Sequence, residues 1–308
     1  MDLIDRYRGC LLGLAAGDAV GTTVEFRPRG TFTPVTDMTG GGPFNLHPGE
    51  WTDDTSMALC MAYSLVSTPG FDARDQMERY WRWYQDGYMS STGRCFDIGN
   101  ATGEALHRYK ETGDPFAGST DPKTSGNGGI MRLAPVVLFY HPDREAVLHF
   151  AAESSRVTHA STECLEAARL LADVILRALR EASKEDVLEA SATKAIESRA
   201  IQSIARGDYQ RKSEREIHGT GYVVRSLEAA LWSFWQTDSY EGAILKAANL
   251  GDDADTTAAI CGQVAGAFYG EEGIPAHWLQ RLAMRDEIRN LADALQRTGN
   301  GSSNTRPQ

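Results

Sequence analysis

A chain of 308 residues with 42% hydrophobic and 24% charged side chains has the composition of a globular protein large enough to bury an extensive core. Its formal net charge of -11 comes without any basic block, which argues against a nucleic-acid backbone as the main partner. The five cysteines are scattered and form no C-x-x-C pair, so reduced thiols in a cytoplasmic protein are expected, neither a disulfide framework nor a zinc site.

The first element is a helix from Ile4 to Ala16, where apolar residues recur at helical spacing and "GLAAG" offers small side chains for close helix contact. Asp2 and Asp5 in place of a positive start, Gly13 within the apolar run and Asp18 closing it do not fit a signal peptide. No stretch approaches the ~18 apolar residues of a membrane span. Residues 27 to 48, rich in Gly, Thr and Pro with Gly40, Gly41 and Gly42 in a row, read as a long loop of functional interest. Helices follow at Met57 to Val66 and at Asp72 to Asp86, the latter with Met77, Tyr80, Trp81 and Tyr84 three and four apart. A second polar loop covers Thr112 to Gly129. Long amphipathic helices are then expected at Thr162 to Ala182 and Lys184 to Arg206, rich in good helix formers. Further helices are expected at Tyr222 to Trp235, Tyr240 to Asn249, Thr256 to Tyr269 and Pro275 to Gln296. Strand-like alternation is nearly absent, and there is no repeat and no linker. The expectation is a single compact all-α domain over residues 1 to 298, a disordered tail over 299 to 308, and a monomer.

Two segments carry chemistry. "EWTDDTSMAL" places Thr52, Asp53 and Asp54 directly ahead of an apolar run. Two hundred residues later "NLGDDADTTAAICGQVAGAFYG" repeats that grammar, with Asp253, Asp255 and Thr256 at the mouth of a small-residue helix. Either cluster alone would serve as a helix N-cap. Together they leave several carboxylates at the entrances of buried helices, which repel one another unless a counter-charge is present. Hard oxygen donors without His or Cys suit Mg²⁺ or Mn²⁺, and two clusters suit two divalent cations. The ligand spacing of an EF-hand is missing. Glu25, in "GDAVGTTVEF", is a third candidate, as a ligand, a general base or both, against the plainer reading of a solvated loop acid. Asp97, in "GRCFDIGNAT", is a fourth, against the plainer reading of a helix cap.

These segments, with "GCLLGLAAGDAVG", "GNGGIMRLAPV", "THAS" and "GYVVRSLEAALWSF", occur in an order that resembles the ADP-ribosylglycohydrolase family, from about residue 9 to 270. The resemblance implies an all-helical fold, a binuclear Mg²⁺ or Mn²⁺ centre and hydrolysis at C1″ of ADP-ribose. By matching motif it implies Thr52, Asp53, Asp54, Asp253, Asp255 and Thr256 as metal ligands, and Glu25 and Asp97 as the catalytic acids or bases. It further implies that Gly126, Asn127, Gly128 and Gly129 wrap the ADP-ribose, where glycines would let backbone N–H groups approach phosphate. His159 matches a pocket histidine and Tyr222 an aromatic on the adenine side; alone, each would read as a packed residue. Asp252 stands where many relatives have Gly. The expected substrate is an ADP-ribosylated protein cleaved at its N-glycosidic bond to arginine. Alternatives are O-linked ADP-ribose, on serine or in a small molecule such as O-acetyl-ADP-ribose, and a non-catalytic ADP-ribose-binding protein.

Overall fold

The computed structural model describes residues 1–68, 70–180, 183–189 and 196–302. Among them there are α-helices, short 3-10 turns and isolated bridges but no strand, so the all-α reading holds. Two helices form the spine. Helix α1 (Leu3–Gly21) starts at Asp2, whose side chain accepts from the Asp5 N–H, and packs along α12 (Ala254–Tyr269) more extensively than any other pair. Gly9, Gly13, Gly17 and Gly21 recur every four residues on α1 and face, in turn, Gly266, Gly262, Ala258 and Ala254. A Cβ at any of the four would collide with the facing carbonyl oxygen, so the backbones approach as closely as two helices can. The descending register on α12 makes the pair antiparallel. It therefore sets the C-terminal end of α1 beside the N-terminal end of α12. The helix outruns the expected Ala16 to Gly21, and Gly17 and Gly21 are contact residues like the small side chains of "GLAAG".

Helix α2 (Asp53–Ser67) begins four residues ahead of the expected Met57, so that both acids of "TDDT" lie in its first turn. Helix α3 (Ala73–Asp86) is capped by Asp72 and ends at Gly87 in the left-handed conformation. Three helices were not anticipated: α4 (Asn100–Thr112), α5 (Ala134–Tyr140) and α6 (Arg144–Arg156). Helix α7 (Thr162–Ala178) is followed by two short helices, α8 (Lys184–Leu188) and α9 (Arg199–Ala205), where one long helix to Arg206 was expected. Buried Glu166 of α7 accepts from the Glu197 and Ser198 N–H groups, and Ser198 caps α9, which breaks the run; residues 190–195 lie outside the described set.

Helices α10 (Val223–Trp235) and α11 (Tyr240–Ala248) pack on α12. The expected helix from Pro275 to Gln296 is two, α13 (Ala276–Arg281) and α14 (Arg285–Ser302). Between them the Ala283 N–H bonds the Gly49 carbonyl, the Ala283 carbonyl accepts from the Trp51 indole, and Met284 takes a positive φ of 54°. The last helix runs four residues into the segment expected to be a tail, and 303–308 lie outside the described residues. The residue 27–48 segment is a loop, pinned by Asp37, which accepts from the Trp278 indole at 2.7 Å and the Arg281 guanidinium at 2.6 Å. All five cysteines are free, four buried and Cys95 half-buried. No described helix is long and apolar enough to cross a membrane.

Candidate metal centre

The antiparallel spine delivers Asp18 and Glu25 from the end of α1 to Asp253 and Asp255 at the start of α12, and α2 docks its first turn against both. Asp18, fully buried, performs the docking. Its Oδ1 accepts from the Thr52 N–H and hydroxyl, both at 2.9 Å, and its Oδ2 from the Thr55 N–H at 3.1 Å and hydroxyl at 2.6 Å. Thr52 and Asp253 do occupy the N-cap positions of α2 and α12, but neither side chain caps its helix. The plain capping reading therefore fails for both: Thr52 turns to Asp18, and Asp253 Oδ2 accepts from the Asn127 side-chain amide at 2.7 Å.

What remains is a nest of oxygens. Asp18, Asp54 and Asp255 bring carboxylate oxygens within 4.8 Å of one another, and so do Glu25, Asp97 and Asp255, so the two groups share Asp255. Both Asp18 oxygens are already saturated by four donors, which makes it a brace for the first group rather than a free ligand. Thr52 Oγ1 donates to Asp18 at 2.9 Å and also lies 3.3 Å from Asp54 Oδ2 and 3.4 Å from Asp255 Oδ2. Thr256 Oγ1 lies 3.3 Å from the same Asp54 oxygen. Asp54 Oδ1 and Glu25 Oε2 are buried with no hydrogen-bond partner. Glu25 is thus not the solvated acid of a loop, and Asp97 is not a cap, since α4 begins at Asn100 behind Gly99.

Burial, reinforced by neighbouring carboxylates, lifts the whole group. Glu25 is pushed up to about 12 and Asp97 to about 10, in each case first by desolvation and then by the surrounding acids. Asp53, Asp54 and Asp255 rise well above the carboxylate range for the same reasons, and Asp253 rises through burial. Asp18 reaches about 6, burial outweighing its four hydrogen bonds. Among the described residues none of these acids pairs with Lys, Arg or His. A buried, unpaired carboxylate cluster with orphaned oxygens and all-oxygen donors fits hard divalent cations.

The centre floors a cleft of about 810 Å³, lined by Glu25, Asp53, Asp97, Asp252, Asp253, Asp255 and Thr256 below and by Gly126, Asn127, Gly128 and His159 on one wall. Thr52 and Asp54 lie beneath this lining. The glycine loop is held rigidly. Its Asn127 N–H bonds the Gly221 carbonyl, and buried Gln263 of α12 donates to the Ile130 and Met131 carbonyls while accepting from the Ala134 N–H. A Cβ on Gly126 or Gly128 would press on the His159 imidazole, so these glycines first make room for the histidine. Gly129 packs instead against Ser155, away from the cleft. Tyr222 pairs its backbone with Gly126 and sits half-exposed outside the lining, its hydroxyl donating to Glu163 at 2.8 Å. Backbone bonds between Phe26 and Asp252 and between Asp252 and Arg27 join the Glu25 turn to the start of α12.

Sequence reasoning missed Asp18, Thr55 and Gln263 as parts of this site. The signal was present for Asp18 and Gln263, since a lone acid or amide inside an apolar run must find a partner.

A family model described as ADP-ribosylglycohydrolase matches residues 1–304. An ADP-ribosylarginine hydrolase Tri1 of Pseudomonas putida is 48% identical over 292 residues, covering 95% of this chain and 78% of the relative. An ADP-ribosyl-[dinitrogen reductase] glycohydrolase of Rhodospirillum rubrum is 32% identical over 311 residues, covering 94% and 95%. A solved structure titled ADP-ribosylglycohydrolase-related protein complex superposes with a TM-score of 0.87 at 45% identity, covering 96% of this chain and 99% of that one.

Proposed function

Because the chain belongs to the ADP-ribosylglycohydrolase family, we propose that it removes ADP-ribose from arginine by hydrolysing the N-glycosidic bond at C1″, with two divalent cations, Mg²⁺ or Mn²⁺, in its centre. The linkage is supported by the names of the relatives from Pseudomonas putida and Serratia proteamaculans, 48% and 44% identical. The metal requirement is supported by one observation above others: two buried acid groups that share Asp255, carry orphaned oxygens and have no cationic partner among the described residues.

Thr52, Asp54, Asp255 and Thr256 would hold one ion and Glu25, Asp97 and Asp255 the other, with Asp53 and Asp253 alongside. Bound there, the ions would supply positive charge and Lewis acidity at the ribose hydroxyls. The protein's own groups do the rest. The C1″–N bond breaks through an oxocarbenium-like state, which the carboxylates on the cleft floor stabilise, while water adds to C1″ and the arginine guanidine leaves with a proton. Glu25 Oε2, buried and unpartnered, is the atom at which a proton is held or exchanged, with Asp97 on the same floor as the second proton carrier. The wall of Gly126, Asn127 and Gly128 positions the remainder of the ADP-ribose.

The test is release of free ADP-ribose from an arginine-ADP-ribosylated protein and from a serine-ADP-ribosylated peptide, each with Mg²⁺, Mn²⁺ or chelator. Release from the arginine substrate alone, abolished by chelator and reduced at least ~10–100-fold by Asp255→Asn, is expected. Release from serine alone, or release that chelator leaves unchanged, would overturn the reading.

A further inference from the structure

Behind the cleft wall, Arg132 is fully buried without a carboxylate partner among the described residues. A guanidinium in that position carries a desolvation penalty that the Tyr80 ring, 4.9 Å from it, offsets only in part. Its Nη2 donates to Thr158 Oγ1 at 2.6 Å, and Thr158 Oγ1 lies 2.9 Å from His159 Nδ1. These two contacts decide where the imidazole carries its proton. Arginine has only donors, so the threonine oxygen accepts from it. The one hydroxyl hydrogen must then go to an acceptor, and His159 Nδ1 is the acceptor within reach. Were Nδ1 protonated instead, the threonine would accept from both sides and its own hydrogen would be stranded in a site only 1% exposed. Nδ1 is therefore the bare nitrogen and Nε2 carries the hydrogen.

The rest of the ring is equally constrained. The His159 N–H bonds the Ser155 carbonyl, and the His159 carbonyl accepts from the Ser155 hydroxyl. Nε2 lies where a Cβ on Gly126 or Gly128 would come within 3.0 or 3.1 Å, and among the described residues it has no partner. His159 is 4% exposed and lines the cleft.

We propose that Arg132 and Thr158 are positioning residues that lock His159 as an Nε2–H donor turned into the cleft, so that it gives a hydrogen bond to an oxygen of the ligand and never accepts one. The lock discriminates by chemistry. It favours a ligand presenting hydroxyl or phosphate oxygens at that wall and rejects one presenting an ammonium or guanidinium there. That the ligand is ADP-ribose rests on the proposed function; the lock itself does not. Burial, with Arg132 alongside, also holds the imidazole down to about 3, in keeping with a ring that stays neutral.

The test reads the tautomer directly, by ¹⁵N chemical shifts of the histidine side chains in the ligand-free protein at neutral pH, with His159→Gln to assign the signals. A bare, pyridine-type Nδ1 and a protonated, pyrrole-type Nε2 are expected at His159. Thr158→Val should release the lock, giving averaged or reversed shifts and about 3- to 10-fold weaker binding of ADP-ribose, while Thr158→Ser restores both. A wild-type protein with hydrogen on Nδ1, or a Thr158→Val variant that keeps both the shifts and the affinity, would overturn the proposal. A wild-type protein with the expected shifts that binds no ADP-ribose would uphold the lock and refute the proposed function.

Discussion

Replacing Asp18 with Asn tests whether this residue braces the centre or merely ends a helix. The carboxylate takes four hydrogen bonds, from the Thr52 and Thr55 N–H groups and hydroxyls, at 2.6 to 3.1 Å. An amide has one oxygen, which keeps two of them, while its NH₂ group faces the other two donors. A threonine hydroxyl can turn and accept, but a backbone N–H cannot, so one buried donor is stranded. A bond to a charged group contributes about 1.5–3 kcal/mol and a neutral one about 0.5–1.5 kcal/mol, so losing one N–H bond outright and exchanging one hydroxyl bond for a neutral one costs about 2–4 kcal/mol. Against this stands the relief of repulsion. Asp18 and Asp54 oxygens lie within 4.8 Å, where two ionised carboxylates at an effective dielectric of 20 repel by roughly 3 kcal/mol, part of which a proton on Asp54 already relieves when no cation is bound. That relief operates only while no cation screens the cluster. Asp18→Asn should therefore lower stability by about 2–4 kcal/mol in saturating Mg²⁺ or Mn²⁺ and by distinctly less in chelator. Urea unfolding followed by tryptophan fluorescence in the two conditions measures both. A loss below about 1 kcal/mol, or the same loss with and without metal, would refute the bracing argument.

Two further outcomes follow from the same geometry. In chelator, Glu25 at about 12 and Asp97 at about 10 keep protons in the folded state that the unfolded chain releases near pH 4. The folded state then binds more protons, so stability falls as pH rises from about 4 through the folded values, by about 1.4 kcal/mol per pH unit for each retained proton. Melting temperatures at pH 5 and pH 8 should drop in chelator and level off with Mg²⁺; a rise in chelator would contradict the cluster's mutual repulsion. In the spine, Gly266→Ala drives a methyl into the Gly9 carbonyl and should cost more than about 3 kcal/mol, whereas Gly103→Ala in α4 meets only Ile98 Cδ1 at 3.9 Å and should gain about 0.5–1 kcal/mol. Equal effects from the two changes in chemical denaturation would rule out the close-packed register.

The helical class and most helices were legible because apolar residues recur at helical spacing through α3, α7 and α10. The three unanticipated helices lacked that signal for separate reasons. Helix α5 is a continuous apolar run of seven residues, which periodicity cannot assign. Helix α4 starts in "GNATG" and α6 follows a proline, and both openings read as loop. The break before α9 is made by Glu166, thirty residues earlier in the chain. Local propensity favoured continuing the helix, and a long-range hydrogen bond overrode it.

The grammar of acids and threonines was readable because Asp and Thr directly ahead of an apolar run are few and conspicuous. What joins the two clusters was not, because it is written in glycines. Gly21 has an ordinary helical φ, so nothing in turn chemistry demands it; it is glycine because Asp255 Cα would stand 2.5 Å from its Cβ. One residue on from Asp255, Thr256 reaches Asp54, and three residues back from Gly21, Asp18 holds the turn that carries Asp54. One of the close points of the helix pair is thus the point at which the carboxylates meet. Any larger residue that spread α1 from α12 there would also separate Asp18 from Asp255, so the packing that stabilises the spine and the geometry of the centre are one constraint. Small residues at four-residue spacing look like a core stripe in isolation. Here they set the distance between two halves of a buried acidic cluster.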